Sequence, residues 1–274
     1  MKTSKIEKTY GNVLKIMRVA INPFKKVIVN TECQVHKFIN MQALNILKND
    51  NFKDAYVFFS DFITELDAGV TWADQDLKSM GHFYNPFWAR GLFGNSNANS
   101  LAGEYYNKAL SNWRKGDVAK AIFFLGASIH LVQDMTVPQH ANIKLLDSHK
   151  RYETFIKKAY LHTAEFVATQ GGYYYMQCVE EAIKGNARNT ITIYSRLKHI
   201  EDEEKRFFTI TKFILPLAQR TTAGCLMMFY KDVFKSGRAG KCRNAKEGKK
   251  NLKKVSVAEL QTEEKNERFT VFTE

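Results

Sequence analysis

Apolar residues recur along most of this chain at the three- and four-residue spacing of an α-helix, with few glycines or prolines between them. The clearest helical patterns run from Asn99 to Lys115, Val118 to Gln133, His149 to Gln170 and Lys205 to Phe234. Gly116-Asp117 separates the first two as a helix stop followed by a helix cap. The pattern predicts an all-α protein, a bundle of several helices.

The stretch that begins at Val118 is apolar almost all round, which is typical of a buried helix. His130 and Asp134, four residues apart near its end, would therefore lie inside the fold. A buried carboxylate costs several kcal/mol unless it is paired or bound to a metal. Two interpretations are open for this pair alone: a hydrogen-bonded structural pair, or two metal ligands.

A second histidine and carboxylate, His149 and Glu153, have the same spacing. Side chains four residues apart project from one face of a helix, so either pair could bind one ion. Taken alone, this second pair could equally belong to a solvated helix start capped by Asp147 or Ser148.

His140 lies between the two pairs, two residues after Pro138. The proline ends the buried helix and would let His140 return toward the same place from a loop. Imidazole and carboxylate together are the ligands that suit zinc, so the conjunction of the two pairs with His140 predicts a zinc site.

Length and composition agree with this interpretation. A chain of 274 residues with 45% hydrophobic content can bury one large core, which favours a single main domain. The formal net charge is +13, and both ends are basic arms: residues 1–26 hold seven Lys and Arg against Glu7, and residues 238–254 hold eight against Glu247. Such arms are typical of solvated tails, although an anionic membrane would attract them by about 1 kcal/mol per basic residue, and nucleic acid would attract them too.

The first 35 residues contain no apolar run longer than three residues, and no stretch approaches the roughly 20 apolar residues of a membrane span. We therefore expect no signal peptide and a soluble or peripheral protein, either cytoplasmic or exported by a non-classical route. The four cysteines, Cys33, Cys178, Cys225 and Cys242, show no C-x-x-C spacing and are expected to be free thiols. Cys33 could also reach a metal, because it precedes His36 by three residues.

The segment from Phe124 to Asn142, FLGASIHLVQDMTVPQHAN, resembles the core motif of the zinc-dependent phospholipases C, which include bacterial phosphatidylcholine-hydrolysing enzymes and clostridial alpha-toxins. The segments that begin at His36, Trp72 and Gly81 resemble the family's first ligand helix, its Pro-Asp segment and its His-Phe-aromatic-Asp-Pro loop. Ala218 to Gly224 resembles the last helix of the catalytic domain. The resemblance predicts a basic extension over residues 1–29, a catalytic domain over 30–235 and a tail over 236–274.

The resemblance implies two or three Zn²⁺ ions and eight metal ligands: His36, Asp74, His82, His130, Asp134, His140, His149 and Glu153. It implies one ion on Asp74, His82, His130 and Asp134, a second on His140, His149 and Glu153, and a third on His36 with bridging Asp134. Asp74 would also act as the base that orients the attacking water. The implied reaction is hydrolysis of a glycerophospholipid on the glycerol side of its phosphodiester, which releases diacylglycerol and a phosphorylated headgroup.

The chain departs from the family near its N-terminus. Mature family members begin with a Trp, about ten residues before the first ligand histidine, whose amine and carbonyl bind one zinc; here Lys26 stands at that distance and no Trp occurs before Trp72. Three explanations are open: the third zinc lacks this ligand, an internal group such as Cys33 or Glu32 replaces it, or the chain is cut by another route.

Two further positions bear on the substrate. Choline-preferring relatives carry aromatic residues where this chain has Gln75 and Ser79, which weakens a preference for phosphatidylcholine. His162 and His199 fall on no family position and are not expected to bind metal.

Three functions are compatible with the sequence. The first is a monomeric phospholipase C that acts on phospholipid at a membrane surface. The second is a single-strand nuclease on the same scaffold, which the basic charge would suit, although Glu153 and the His82 segment resemble the phospholipases. The third is a catalytically weak protein that keeps zinc for folding.

Overall fold

A computed structural model describes residues 33–75, 81–92, 97–144, 148–168 and 170–235, and all structural statements refer to these. The predicted extension and tail, residues 1–29 and 236–274, lie outside them together with Glu32, Ser79, Asp147 and Cys242. The predicted domain limits therefore remain predictions.

Nine α-helices make up most of the described residues: α1 Gln34–Asn49, α2 Lys53–Asp61, α3 Ile63–Asp74, α4 Ala98–Arg114, α5 Val118–Asp134, α6 Pro138–Asn142, α7 His149–Ala159, α8 Val179–Leu197 and α9 Glu203–Tyr230. A 3₁₀ turn covers Ala164–Phe166, and a π-helical turn, Lys231–Lys235, extends α9. Within the described ranges the only extended pairing is an isolated bridge between Asn85 and Arg90. The prediction of an all-α fold is confirmed. None of the described helices is both long enough and apolar enough to cross a bilayer.

Helix α5 lies at the centre of the fold, between α3 and α4. Every residue from Leu125 to Asp134 is buried, as the all-round apolar pattern predicts. The helix begins at Asp117, whose carboxylate accepts from the backbone N–H of Lys120 at 3.1 Å. Burial of this whole helix is what carries its last turn, with His130 and Asp134, into the interior.

Two glycines let α3 and α5 touch backbone to backbone. A Cβ atom added to Gly69 would collide with the carbonyl of Phe123, and one added to Gly126 would collide with the carbonyl of Leu66. No other residue type fits this crossing without separating the helices. Since α3 ends at Asp74 and α5 ends at Asp134, the contact joins the two helices that carry these carboxylates.

Buried polar side chains tie α8 and α9 to α5. The Thr221 hydroxyl donates to Asn186 Oδ1 at 2.9 Å, and Asn186 Nδ2 donates to the carbonyl of Val132 at 2.9 Å. The polar atoms of Asn186 and Thr221 thus have partners inside the fold, and these hydrogen bonds fix the end of α5 against α8 and α9.

The predicted helix from His149 to Gln170 is too long. Helix α7 ends at Ala159 because the chain then turns to bury Phe166. Gln219 holds that turn, donating to the carbonyl of Phe166 at 2.7 Å and accepting from the N–H of Ala168 at 2.6 Å. Tertiary packing therefore overrides the helical pattern.

Three smaller expectations are also corrected. His140 lies not in a loop but on the short helix α6, which begins at Pro138, a residue well suited to the first helical position. Ser148 precedes α7, yet its side chain makes no capping hydrogen bond. Cys33 and Cys225 are free thiols as expected, whereas Cys178 is disulfide-bonded.

Candidate metal centre

The Asp134 carboxylate lies at the middle of a cluster of four histidines. Its Oδ2 atom is 2.7 Å from His82 Nδ1, 3.3 Å from His130 Nε2 and 3.2 Å from His140 Nδ1. Its Oδ1 atom is 3.5 Å from His36 Nε2. These side chains come from four places: from α1, from the segment that follows α3, from α5 and from α6. The fold therefore brings together residues that are far apart in the sequence.

The eight predicted ligands form three groups, each with one ligand atom per residue within 4.8 Å of the others: His36, His130 and Asp134; Asp74, His82 and His130; and His140, His149 and Glu153. The third group has the composition that the resemblance implies. The first two groups differ from the ligand sets that the resemblance implies, because His130 belongs to both. His162 and His199 are exposed on the surface, outside all three groups.

The arrangement of nitrogen atoms fits zinc better than it fits hydrogen bonding. His130 Nε2 approaches His82 Nδ1 at 3.3 Å, and His140 Nε2 approaches His149 Nε2 at 3.0 Å. Two ligands of one tetrahedral zinc, at bond lengths of about 2.0 to 2.1 Å, are themselves about 3.3 Å apart. His140 Nδ1 faces Asp134 Oδ2 at 3.2 Å, yet neither of these buried atoms makes a hydrogen bond. Lone pairs that converge in this way, around an unpartnered carboxylate oxygen, are chemically suited to bound cations.

A buried relay of amides fixes the ring of His36. Gln133 Nε2 donates to Asn40 Oδ1 at 2.9 Å and to Thr222 Oγ1 at 3.1 Å, so its Oε1 must be the acceptor that faces His36 Nδ1 at 2.8 Å. His36 therefore carries its proton on Nδ1 and directs the Nε2 lone pair toward Asp134. Asn40 is held in turn, since its Nδ2 donates to Asp67 at 2.8 Å.

The segment that carries His82 is fastened to its surroundings by its backbone. The N–H of Tyr84 donates to the carbonyl of His140 at 3.3 Å, and the N–H of Ala98 donates to the carbonyl of Phe83 at 3.3 Å. The Phe83 ring also packs on His140, with centroids 4.8 Å apart. These contacts hold His82 and His140 near each other, with both rings directed at Asp134 Oδ2.

Asp74 is the last residue of α3 and faces the cluster with both oxygens. Oδ1 lies 3.9 Å from His130 Nε2, and Oδ2 accepts a hydrogen bond from the Cys33 thiol at 3.1 Å. Burial opposes ionisation of this carboxyl, but His130 and His36 outweigh it, and the pKa of Asp74 is lowered. Burial raises the pKa of the Cys33 thiol well above its usual range, and the Asp74 charge adds to that shift.

Burial and neighbouring side chains also shift the pKa values of Asp134 and His36. Burial would raise the pKa of Asp134, yet His130, His140 and His82 hold it well below its usual range. Burial lowers the pKa of His36, and His130 lowers it further, which favours the neutral ring. Ionised carboxylates and neutral imidazoles are the forms that bind metal.

Residues 35–201 match the family described as zinc-dependent phospholipase C, which is more than half of the chain. The chain belongs to the zinc-dependent phospholipase C family. This membership confirms the resemblance inferred from the motifs and agrees with a zinc-binding role for the cluster.

Other members of the zinc-dependent phospholipase C family are similar at moderate identity. A phospholipase C of Clostridium novyi is 26% identical over 238 residues, covering 73% of this chain and 59% of the relative. One from Listeria monocytogenes is 31% identical over 157 residues, covering 51% of this chain and 54% of the relative. The solved alpha toxin of Clostridium absonum superposes with a TM-score of 0.63 at 21% identity, covering 74% of this chain and 64% of that one, and shows the shared fold. The chain thus spans less than two thirds of the length of the curated relatives it matches.

Sequence reasoning missed the amide relay behind His36. Gln133 lies one residue before Asp134, at the end of an apolar stretch. A polar residue on a helix that is apolar all round was the available signal, because a buried amide needs partners.

Proposed function

We propose that this chain is a phospholipase C that uses three zinc ions to hydrolyse the glycerol-side phosphodiester of a glycerophospholipid. The observation that carries the proposal is the gathering of all eight predicted ligands around Asp134, within the segment that matches the family. Since His130 belongs to two of the three groups, no ion would have more than three ligand atoms from them, which leaves positions for water or a phosphoryl oxygen.

The ligand set suits phosphodiester chemistry. The three groups would hold the ions, with Asp134 shared between neighbouring sites. When bound, zinc polarises phosphoryl oxygens and lowers the pKa of water. The protein's own contribution is to hold the ligands in place, through the amide relay at His36 and the backbone contacts at His82.

Asp74 is the residue we assign as general base. The Asp74 side chain is half-buried at the edge of the cluster, and its lowered pKa keeps the carboxyl group ionised. The carboxylate can therefore accept a proton from a water molecule beside it. Its position at the end of α3, locked against α5, fixes the direction in which the carboxylate points.

A rigid aromatic tip, Asn85 to Arg90, supports action at a membrane surface. The Asn85 N–H donates to the Arg90 carbonyl at 2.9 Å, and the Phe87 N–H donates to Asn85 Oδ1 at 3.0 Å. The tip exposes 66% of Phe87 and 45% of Trp88, and the Arg90 guanidinium lies 4.9 Å from the Trp88 ring. Exposed aromatic rings beside a cation favour the lipid headgroup region. Because His82 lies only three residues before the tip, binding there would bring phospholipid toward the cluster.

A preference for choline is weakened at this site. Gln75 follows Asp74 directly, at a position where a choline-binding site would use an aromatic ring. We expect headgroups with hydrogen-bond donors, such as ethanolamine, to be hydrolysed faster than choline.

The test is an activity panel on full-length protein supplied with zinc. Phosphatidylethanolamine, phosphatidylcholine and single-stranded DNA are compared for release of phosphorylated headgroup, diacylglycerol or nucleotides. We expect diacylglycerol from phospholipid, and Asp74→Asn to lower that rate by about 10²- to 10⁴-fold with an unchanged circular dichroism spectrum. Asp61→Asn is the matched control, since Asp61 is an exposed residue at the end of α2.

Each alternative has its own result in this panel. Nucleotides in place of diacylglycerol would support the nuclease. Bound zinc without turnover of any substrate would support a zinc-binding protein that does not catalyse. Equal rates for Asp74→Asn and wild type would move the base elsewhere.

A further inference from the structure

A carboxylate, Asp67, ends the amide relay behind His36. Asn40 Nδ2 donates to Asp67 Oδ1 at 2.8 Å, and Gln133 Nε2 donates to Asn40 Oδ1 at 2.9 Å. Gln133 Oε1 then faces His36 Nδ1 at 2.8 Å. His36 and Asn40 share one face of α1, four residues apart, and Asp67 and Asp74 share one face of α3 two turns apart. Each helix thus supplies a predicted metal ligand and a member of the relay.

Most members of the relay could take part in it in either direction. A carboxamide donates through nitrogen and accepts through oxygen, so a flip of Asn40 or Gln133 exchanges the two roles. The Thr222 hydroxyl, which accepts from Gln133 at 3.1 Å, can donate as well. A neutral imidazole has one donor and one acceptor nitrogen, so His36 fits either direction through its choice of tautomer. These four side chains alone leave the direction of the relay open.

Asp67 removes that freedom. An ionised carboxylate only accepts, so it requires the Asn40 nitrogen to face it, and the Asn40 oxygen then faces Gln133. In a reversed relay the oxygens of Asn40 and Asp67 would meet at hydrogen-bond distance with no proton between them. Burial raises the pKa of Asp67, although the Asn40 hydrogen bond and the Lys37 charge oppose that shift and favour the carboxylate. Of the members of the relay, Asp67 alone has a fixed hydrogen-bonding role.

We propose that Asp67 is a positioning residue of the metal centre, which sets the tautomer of His36 by fixing the direction of the amide relay. With the proton on Nδ1, the His36 Nε2 lone pair faces Asp134 Oδ1, 3.5 Å away, and is available to a metal ion. In the reverse direction the proton would lie on Nε2 and block that lone pair. Asp67 itself belongs to none of the three ligand groups. The inference rests on the metal centre of the proposed function but not on its substrate.

Zinc affinity of full-length, zinc-loaded protein is the first test, measured by competition with a chromophoric chelator. Asp67→Asn keeps the size and shape of the side chain, but its amide can donate as well as accept, so the direction of the relay is no longer fixed. We expect one ion to bind about 10-fold more weakly, as for loss of an outer partner of a metal ligand. Glu65→Gln is the matched control, since it removes a charge of the same sign from the same helix outside the relay, and it should bind zinc as wild type does.

A reciprocal exchange separates the direction of the relay from its packing. Asn40→Asp combined with Asp67→Asn keeps both shapes and moves the group that only accepts one step nearer His36, where it accepts from Gln133 Nε2. We expect this double variant to recover the zinc affinity that Asp67→Asn loses. A double variant no better than Asp67→Asn would overturn the proposal, and so would Asp67→Asn with wild-type affinity.

The tautomer itself can be read by NMR of isotope-labelled histidine in metal-free full-length protein, at about pH 8, where imidazole is neutral. The His36 signals, assigned from their loss in His36→Gln, should show the proton on Nδ1 in wild type, in Glu65→Gln and in the double variant. In Asp67→Asn the form with the proton on Nε2 should become populated. Wild-type protein with its proton on Nε2 would contradict the assignment without any variant. A protein that passes these tests but hydrolyses no phosphodiester would refute the proposed function alone.

Discussion

The two ends of the ligand cluster differ in burial and in how many helices hold them. The inner half consists of His36, Asp74, His82, His130 and Asp134; the outer half consists of His140, His149 and Glu153. The Asp134 side chain is 4% exposed, whereas that of Glu153 is 44% exposed. Four separate parts of the fold supply the inner half, but only α6 and α7 supply the outer half.

The difference indicates how each half is positioned. Inner ligands are held by the core, through the buried α5 and the amide relay, so contacts within the protein position them. In the outer half, His149 and Glu153 are held mainly by contacts between ligands: His149 Nε2 lies 3.0 Å from Glu153 Oε1 and 3.0 Å from His140 Nε2. Changes in the inner half should therefore damage both fold and metal binding, and changes in the outer half only metal binding.

Removing the central carboxylate is the strongest test of this contrast. Asp134→Asn leaves three imidazoles without their shared anion, and breaking a buried charge pair typically costs about 3 to 5 kcal/mol. We expect the free energy of unfolding of zinc-loaded protein to fall by that amount, in urea denaturation, and more than one zinc to be lost by elemental analysis. A variant with wild-type stability would show that the core does not depend on this charge.

Cutting the amide relay should have the next largest effect. Gln133→Met keeps the volume but leaves Asn40 Oδ1 and Thr222 Oγ1 without their donor, a cost of about 1 to 3 kcal/mol in unfolding free energy. Freed from its acceptor, the His36 ring should also bind zinc about 10- to 100-fold more weakly. Gln133→Glu checks the cause: its carboxylate still accepts from His36 Nδ1 but cannot donate, so it should retain more of the zinc affinity than Gln133→Met.

The outer half should respond to substitution in metal binding alone. Glu153→Gln keeps the shape of the side chain but loses its charge, and we expect one zinc to bind about 10- to 100-fold more weakly. The unfolding free energy of metal-free protein should stay within about 0.5 kcal/mol, as for surface substitutions. A destabilisation comparable to that of Asp134→Asn would erase the distinction between the halves.

The smallest effect is expected outside the cluster, at the aromatic tip. Replacing Phe87 and Trp88 by Ala should weaken binding to phospholipid vesicles by about tenfold, since burying each ring contributes at most about 1.5 to 3 kcal/mol. Hydrolysis of a water-soluble short-chain phospholipid should not change. Tyr175→Ala is the matched control, because Tyr175 is 47% exposed and has Lys231 Nζ 5.5 Å from its ring. Equal losses in the control and the tip variant would argue against a role for the tip.

Much of the inner half could be predicted from the sequence because one helix reveals it. Residues from Leu125 to Asp134 are apolar apart from a few polar positions, so their burial and the exceptional nature of His130 and Asp134 are visible in the pattern. Helical spacing then places the two side chains together.

What the sequence could not give depends on long-range contacts. The end of α7 is set by Phe166 and Gln219, and the roles of Gln133 and Cys33 by partners at least 40 residues away. No local pattern records such partners. The contact of Cys33 with Asp74 in particular needs α1 and α3 to be placed side by side.

Because α3 and α5 touch at Gly69 and Gly126, a small rotation of either helix about this contact displaces the far end of that helix. Asp134 lies eight residues beyond Gly126, about 12 Å along the axis, so a rotation of about 5° at the crossing would move it by about 1 Å. A displacement of that size can cost about 100-fold in rate. Gly69 and Gly126 touch neither metal nor substrate, yet the crossing angle they permit sets the spacing of the two carboxylates. Adding a single methyl group there would push the helices apart, so the spacing of the two carboxylates depends on two residues that are not themselves ligands.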